Sequence, residues 1–409
     1  MKSNALALIQ RIDAPESESL LASLYGKARV SGARKRYVAL LEGQAALNGD
    51  ADVRVFTAAG RTELGGNHTD HNRGKVLAAS IQLDAVAIVS KRDAPIAYLR
   101  STGYPDVQVD LSDLAPRPEE QGATEALVRG IAAAFAKQGV IVGGFTANAD
   151  STVLPGSGLS SSAALEVLLA KIFDSLYSAG TRSPLELAQI GQWAENEYFG
   201  KPCGLMDQTA CAFGGAVAID FADPAKPLVK PIPFDLECAG FALCVVNTRG
   251  SHADLTADYA AIPEEMKAVA RFFGKSVLRE LDCATVIAHA ARIRAALGDR
   301  ALLRALHFFN ENARVDAMRD ALDAASGSAS PAALRDYLTL VTQSGASSWE
   351  LLQNSYSPNH PRDQGIALAL ALTRDFLERC PMAERVGAYR VHGGGFAGTI
   401  QAYIPLDAL

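Results

Sequence analysis

Apolar positions recur at helical spacing near the start of the chain, where Leu20, Leu21, Leu24 and Tyr25 fall on one face. A second segment, 33–47, continues the pattern until Asn48-Gly49 stops it, so residues 1 to about 50 are expected to form an N-terminal helical layer. At Val53 the period changes to strand-like alternation through Thr57, which Ala59-Gly60 should end. Two further strand patterns, 76–81 and 85–89, point to an antiparallel or mixed sheet. Residues 101–120 hold three prolines and read as peripheral strands and loops, followed by a helix over about 122–138.

A strand pattern at 145–149 then leads through a glycine- and serine-rich stretch into an apolar run of helical length, 163–177. Ser183-Pro184-Leu185-Glu186 is a capping box with proline at the first helical position, and the helix it opens should run to about Tyr198 and stop at Gly200. A strand over 214–220 precedes residues 224–233, whose four prolines make the best domain boundary. Beyond it come a strand at 241–247, three to five helical segments across 262–380 broken by a loop at 326–331, and a closing pair of strands, 389–392 and 399–404, around a glycine loop.

Composition narrows the class. A chain of 409 residues suffices for two or three cores, and 49% hydrophobic with 21% charged residues is ordinary for a soluble globular protein. A net charge of -6 with no basic block argues against nucleic acid as a partner. The six cysteines form no CxxC pair, the N-terminus is too polar for a signal peptide, and no apolar run is long enough to span a bilayer. The expectation is a cytoplasmic protein, away from membranes, with reduced thiols.

Four stretches carry chemistry. Residues 60–74, G-R-T-E-L-G-G-N-H-T-D-H-N-R-G, crowd charged side chains among glycines and read as a polar loop between strands, either a substrate loop or a solvated connection. His68, Asp70 and His71 also suit a metal, but no further ligand stands at a zinc-like spacing. V-L-P-G-S-G-L-S-S-S-A-A-L-E-V, residues 153–167, sits where a helix begins and reads as an anion cradle or as a capped turn. Asp207, among apolar neighbours, must be paired, do work or cap a helix. In H-G-G-G-F-A-G, residues 392–398, the glycines let backbone pass close to a ligand or another segment, or form a flexible turn.

Taken in order, these segments resemble the three motifs of the GHMP kinases, and within that superfamily the galactokinase family. G-R-T-E-L-G-G-N-H-T-D-H-N resembles the family signature G-R-V-N-L-I-G-E-H-T-D-Y-N, and L-P-G-S-G-L-S-S-S-A-A-L-E-V resembles its phosphate loop. P-C-G-L-M-D-Q, V-V-N-T, L-L-Q-N-S-Y-S and H-G-G-G-F-A-G match further family segments, so the resemblance spans roughly residues 50 to 405. It implies an α+β, two-domain GHMP kinase fold, with an N-terminal domain like the second domain of ribosomal protein S5, a ferredoxin-like C-terminal domain and an active site in the interdomain cleft. The expected division is an N-terminal extension over 1–50, a first kinase domain over 51–225 and a second over 226–409.

The resemblance also implies an ATP-dependent sugar 1-kinase acting on galactose. ATP would be phosphoryl donor with Mg2+. Pro155, Gly156, Ser157, Gly158, Leu159, Ser160, Ser161 and Ser162 would hold the phosphates, and Ser162 and Glu195 the metal. Asp207 and Arg61 would be catalytic, and Asn67, His68, Asp70, Gly204 and Tyr259 would contact the sugar, with Gly394, Gly395 and Phe396 bordering the cleft. The expected assembly is a monomer or weak homodimer. The chain departs from the signature where the substrate is set, since Asn67 replaces a glutamate, Glu63 an asparagine and His71 a tyrosine. Loss of the carboxylate at 67 makes a C6 acid such as galacturonate an alternative substrate, beside an N-acetylhexosamine or a catalytically weak sugar sensor.

Overall fold

Asn4 opens the first helix by accepting the Ala7 amide at 3.0 Å, and the helices that follow, α1 (Ala5–Asp13), α2 (Glu16–Tyr25) and α3 (Val30–Asn48), form the expected N-terminal layer. Gly49, at φ 57°, ends α3. The computed structural model describes residues 3–154, 158–250, 255–328, 330–379 and 387–409. These fall into two units, one of residues 1–61, 80–155 and 159–214, the other of 62–79, 156–158 and 215–409.

In the first unit, Leu21, Tyr25, Tyr37, Leu40 and Leu41 of the helical layer are buried against Val86 and Ile88. Those two belong to β2 (Lys75–Lys91), which follows β1 (Arg54–Gly65); β3 (Ile96–Ser101) and β4 (Val107–Asp110) come next. Residues 85–91 of β2 pair antiparallel with β5 (Phe145–Ser151), which runs parallel to β3. The helices are α4 (Thr124–Lys137), α5 (Ser161–Tyr177), α6 (Pro184–Ala194) and α7 (Met206–Phe213). The Ser183 capping box forms as expected, and α6 passes into a π-helical turn, Glu195–Phe199, that Gly200 terminates at φ 82°.

In the second unit, residues 75–79 of β2 pair antiparallel with β6 (Ala216–Asp220), which pairs with β7 (Leu228–Ile232). A separate antiparallel sheet has the order β8 (Phe241–Asn247), β10 (Thr399–Pro405), β9 (Ala388–His392). Helices α8 (Thr256–Phe272), α9 (Cys283–Ala288), α10 (Ala290–Leu297), α11 (Asp299–Ser328), α12 (Pro331–Ser347) and α13 (Gly365–Arg379) complete it. Leu64, Leu77, Phe241, Met318, Tyr337 and Tyr403 share one of its apolar clusters.

Three local expectations shift. β1 does not stop at Gly60 but continues to Gly65, because a Cβ at Gly60 would meet the Leu159 carbonyl at 2.9 Å and glycine lets that backbone pass. The polar loop therefore begins only at Gly66. The two strands read at 76–81 and 85–89 are one strand of 17 residues, because Ser80 to Asp84 keeps the alternation of polar and apolar positions and holds no glycine or proline to break it. The units divide near Gly214 rather than in the proline-rich 224–233, because β6 and β7 pair onward from residues 75–79 and stay with the second unit. No described helix is long and apolar enough to cross a membrane.

Candidate active site

Buried on both faces at the end of β1's course through the first unit, Arg61 is held by its amide on the Leu159 carbonyl at 3.1 Å. Its guanidinium grips Asp207 as a fork, Nε to Oδ1 at 2.8 Å and Nη2 to Oδ2 at 2.6 Å. Ser160 Oγ donates to the same Oδ2. Asp207 lies in the first turn of α7, and its side chain is one-third exposed at 33%. Burial pushes its carboxyl pKa up, and Arg61 with Ser160 outweighs that, so it stays below the usual carboxylate range and ionised at neutral pH.

Ser160 also bears on the anion cradle. It is the N-cap of α5 in left-handed conformation, φ 59°, yet its hydroxyl makes no cap bond because it is turned to Asp207. The amides that open this 17-residue helix therefore lack a capping side chain from Ser160, and they carry the positive end of its dipole. Leu159 is buried beside them, Gly158 takes φ 73°, and Ser161 and Ser162 start the helix. Pro155, Gly156 and Ser157 lie outside the described residues.

Glu195 opens the π-helical turn and is buried, with Gln208 Nε2 on Oε2 at 2.9 Å and Lys201 Nζ on Oε1 at 3.1 Å. The same Gln208 nitrogen donates to Glu166 Oε2 at 2.9 Å. Burial, then the Glu195 charge, raise the Glu166 carboxyl to about 8, so at neutral pH it is held largely as the acid. Gly204 stands just before α7. Among the described residues no cluster of three His, Cys, Asp or Glu side chains suits a metal, so His68, Asp70 and His71 do not form one.

The second unit collects the other polar residues. Asn67 is 1% exposed and its amide is engaged: Nδ2 donates to the Gly393 carbonyl at 2.7 Å and to Glu63 Oε1 at 3.2 Å, and Oδ1 accepts from Asn354 at 2.8 Å. Glu63 is paired in turn with the fully buried Arg390 at 2.6 Å. His68, at φ 58°, donates from Nε2 to the Gly394 carbonyl at 2.9 Å. Burial lowers its pKa to about 4, which keeps the ring neutral with Nδ1 an acceptor. Asp70 faces the His71 ring at 3.9 Å, and no described residue donates a hydrogen bond to its carboxylate. Tyr259 donates to the Gly395 carbonyl at 2.8 Å and packs edge-on against Phe396. The glycines have their expected use, since a Cβ at Gly395 would meet the Asn354 carbonyl at 2.3 Å.

Several supporting residues escaped sequence reasoning. Glu166 was one of two acids, with Asp174, in a largely apolar helix, a signal that could have flagged it, and Asn354 lay within L-L-Q-N-S-Y-S. His307 on the Asn67 carbonyl at 2.9 Å, Glu311 on the Gly66 amide at 3.1 Å and Arg390 on Glu63 carried no local signal, because their partners lie 240, 245 and 327 residues away along the chain, respectively.

Two family models match: the galactokinase galactose-binding signature over residues 45–91 and the GHMP kinase N-terminal domain over 126–215. A galactokinase of Streptomyces coelicolor is 38% identical over 269 residues, 64% of this chain and 67% of that protein. The crystal structure of Lactococcus lactis galactokinase complexed with galactose superposes with a TM-score of 0.73 at 26% identity, covering 90% of each chain. Mevalonate kinase of Methanococcus jannaschii shares the fold, with a TM-score of 0.56 at 14% identity over 88% of this chain and 93% of that one.

Proposed function

Because this chain belongs to the galactokinase family of the GHMP kinases, we propose that it transfers the γ-phosphoryl group of ATP to the anomeric hydroxyl of galactose, giving galactose 1-phosphate and ADP. The observation that carries the chemistry is Asp207, ionised and gripped by Arg61 and Ser160 beside the start of α5. Phosphoryl transfer needs little covalent work from protein, so positioning and charge stabilisation carry most of the catalysis. The first unit supplies those groups in this reading. The α5 amides and residues 155–162 hold phosphate oxygens, and Arg61 offsets charge on the transferring group.

Asp207 accepts a hydrogen bond from the sugar hydroxyl and orients it for in-line attack. A carboxylate whose basicity Arg61 has lowered supports this milder role over full proton removal before transfer. Ser162 and Glu195 present a hydroxyl and a carboxylate, the hard oxygen donors Mg2+ takes alongside phosphates and water. They fit that ion, since Glu195 is buried and already holds a cation, the Lys201 ammonium, at 3.1 Å. Bound Mg2+ would neutralise charge on the phosphates.

The loop after β1 contributes sugar contacts in this reading. Asp70, with no described donor on its carboxylate, accepts from sugar hydroxyls, and His68 accepts through Nδ1. Asn67 acts by holding the loop, its amide being spent within the protein. The case for a C6 acid weakens too, because Glu63 keeps a carboxylate within 3.2 Å of the Asn67 amide. The five described cysteines are all free, which supports a cytoplasmic place of action.

A coupled ADP assay with ATP and Mg2+ over galactose, galacturonate, N-acetylgalactosamine and arabinose tests the reading. Galactose is expected to give the highest kcat/KM; binding of galactose without turnover would make the protein a sensor instead. Since the His68 ring is held neutral down to about pH 4, the KM for galactose should stay flat from pH 5.5 to 8. A KM that changes around pH 6.5 would count against the assigned state of His68.

A further inference from the structure

We infer that the Lys201 ammonium is a tethered place-holder on Glu195, occupying the carboxylate oxygen that the metal takes and leaving it when metal and nucleotide bind. This rests on the reading of Glu195 as a Mg2+ ligand. The two oxygens of Glu195 are held in opposite ways. Oε2 receives Gln208 Nε2 at 2.9 Å, from a side chain 1% exposed whose same nitrogen is tied to Glu166. That donor has nowhere to go. Oε1 receives Lys201 Nζ at 3.1 Å, from a side chain 62% exposed.

The backbone delivers the lysine to this place. Glu195 begins the π-helical turn, Gly200 closes it at φ 82° with its amide on the Glu195 carbonyl, and the Lys201 amide reaches the same carbonyl at 3.2 Å. The chain thus doubles back, and Lys201 starts beside the carboxylate it pairs with. A carboxylate as buried as Glu195 is costly without a compensating cation, which the ammonium supplies while no metal is bound. Two cations on one oxygen repel strongly, so metal and ammonium exclude one another. The lysine stem is flexible and its ammonium regains full hydration in water, so the exchange costs little more than the exposed half of an ion pair.

The test is equilibrium binding of Mn2+, as a spectroscopic probe for Mg2+, to the full chain in the presence of ADP, read from the EPR signal of free Mn2+. Lys201→Met is expected to tighten Mn2+ binding about twofold to fivefold, the range of a partly exposed ion pair. Lys201→Arg, which keeps the charge, should stay near the unmodified protein. ADP affinity measured in EDTA should not change in either. Mn2+ binding that is unchanged in Lys201→Met overturns the proposal; weaker binding overturns it as well and makes Lys201 a phosphate contact. Glu195→Gln separates the two readings. It should weaken Mn2+ binding at least tenfold and abolish the effect of Lys201→Met, whereas intact Mn2+ binding in Glu195→Gln removes Glu195 as the ligand whatever Lys201 does.

Discussion

Asp207→Asn is expected to lower kcat by about 10²–10⁴-fold while ATP affinity changes little. The substitution keeps the shape of the side chain and removes its charge. Arg61 then grips an amide in place of a carboxylate, and the sugar hydroxyl loses its ionised acceptor. Both losses fall on the transition state, so kcat and kcat/KM should fall together. Steady-state kinetics in ATP and galactose, with a nucleotide titration to separate binding, provide the check. A kcat within fivefold of the unmodified protein would take Asp207 out of the mechanism. The pH profile carries a second reading: because the Asp207 pKa lies below the ordinary carboxylate range, any acid limb observed above pH 5 belongs to another group.

Exchanging Glu63 and Asn67 should show strong coupling between them. Glu63→Asn alone leaves Arg390 fully buried without its carboxylate, a loss of about 3–5 kcal/mol in stability. Asn67→Glu alone sets a second carboxylate against Glu63 and against the Gly393 carbonyl, where the amide now donates, and is expected to cost about 1–3 kcal/mol. The double exchange, Glu63→Asn with Asn67→Glu, returns the cluster to one carboxylate and one amide, the order of the family signature. It should recover a large part of the summed loss. Denaturant unfolding of the four proteins measures the coupling; losses that simply add would mean the two sites are independent and that this is not a relocated charge.

That pair also shows how the fold changes the meaning of the substitution at 67. In the linear pattern, Asn67 in place of glutamate looks like a lost negative charge, which makes a C6 acid an alternative to galactose. Four residues earlier Glu63 stands on β1, and the folded chain sets its carboxylate against the Asn67 amide and against Arg390, 327 positions further along. The segment 60–65 was equally hard to see as strand, because its polar residues are buried in pairs rather than solvated. Elements whose signals are local came through well: the capping box at Ser183, the Gly49 and Gly200 stops, and strand 241–247 all stand where the residues put them.

The sequence by itself determined the family, the order of the motifs and the capped helix ends, since each rests on residues within about one turn or one loop of each other. It did not determine the helices of 256–379, where six stand among the described residues in place of the expected three to five and α11 runs to Ser328, into the expected loop 326–331. Tertiary structure decided which charges meet. Arg61 with Asp207, 146 positions apart, Gln208 between Glu166 and Glu195, and Glu63 with Arg390 are pairings that no spacing encodes. The physical reason is that a charge inside a protein is defined by its partners, and burial makes those partners obligatory while chain distance leaves them unspecified.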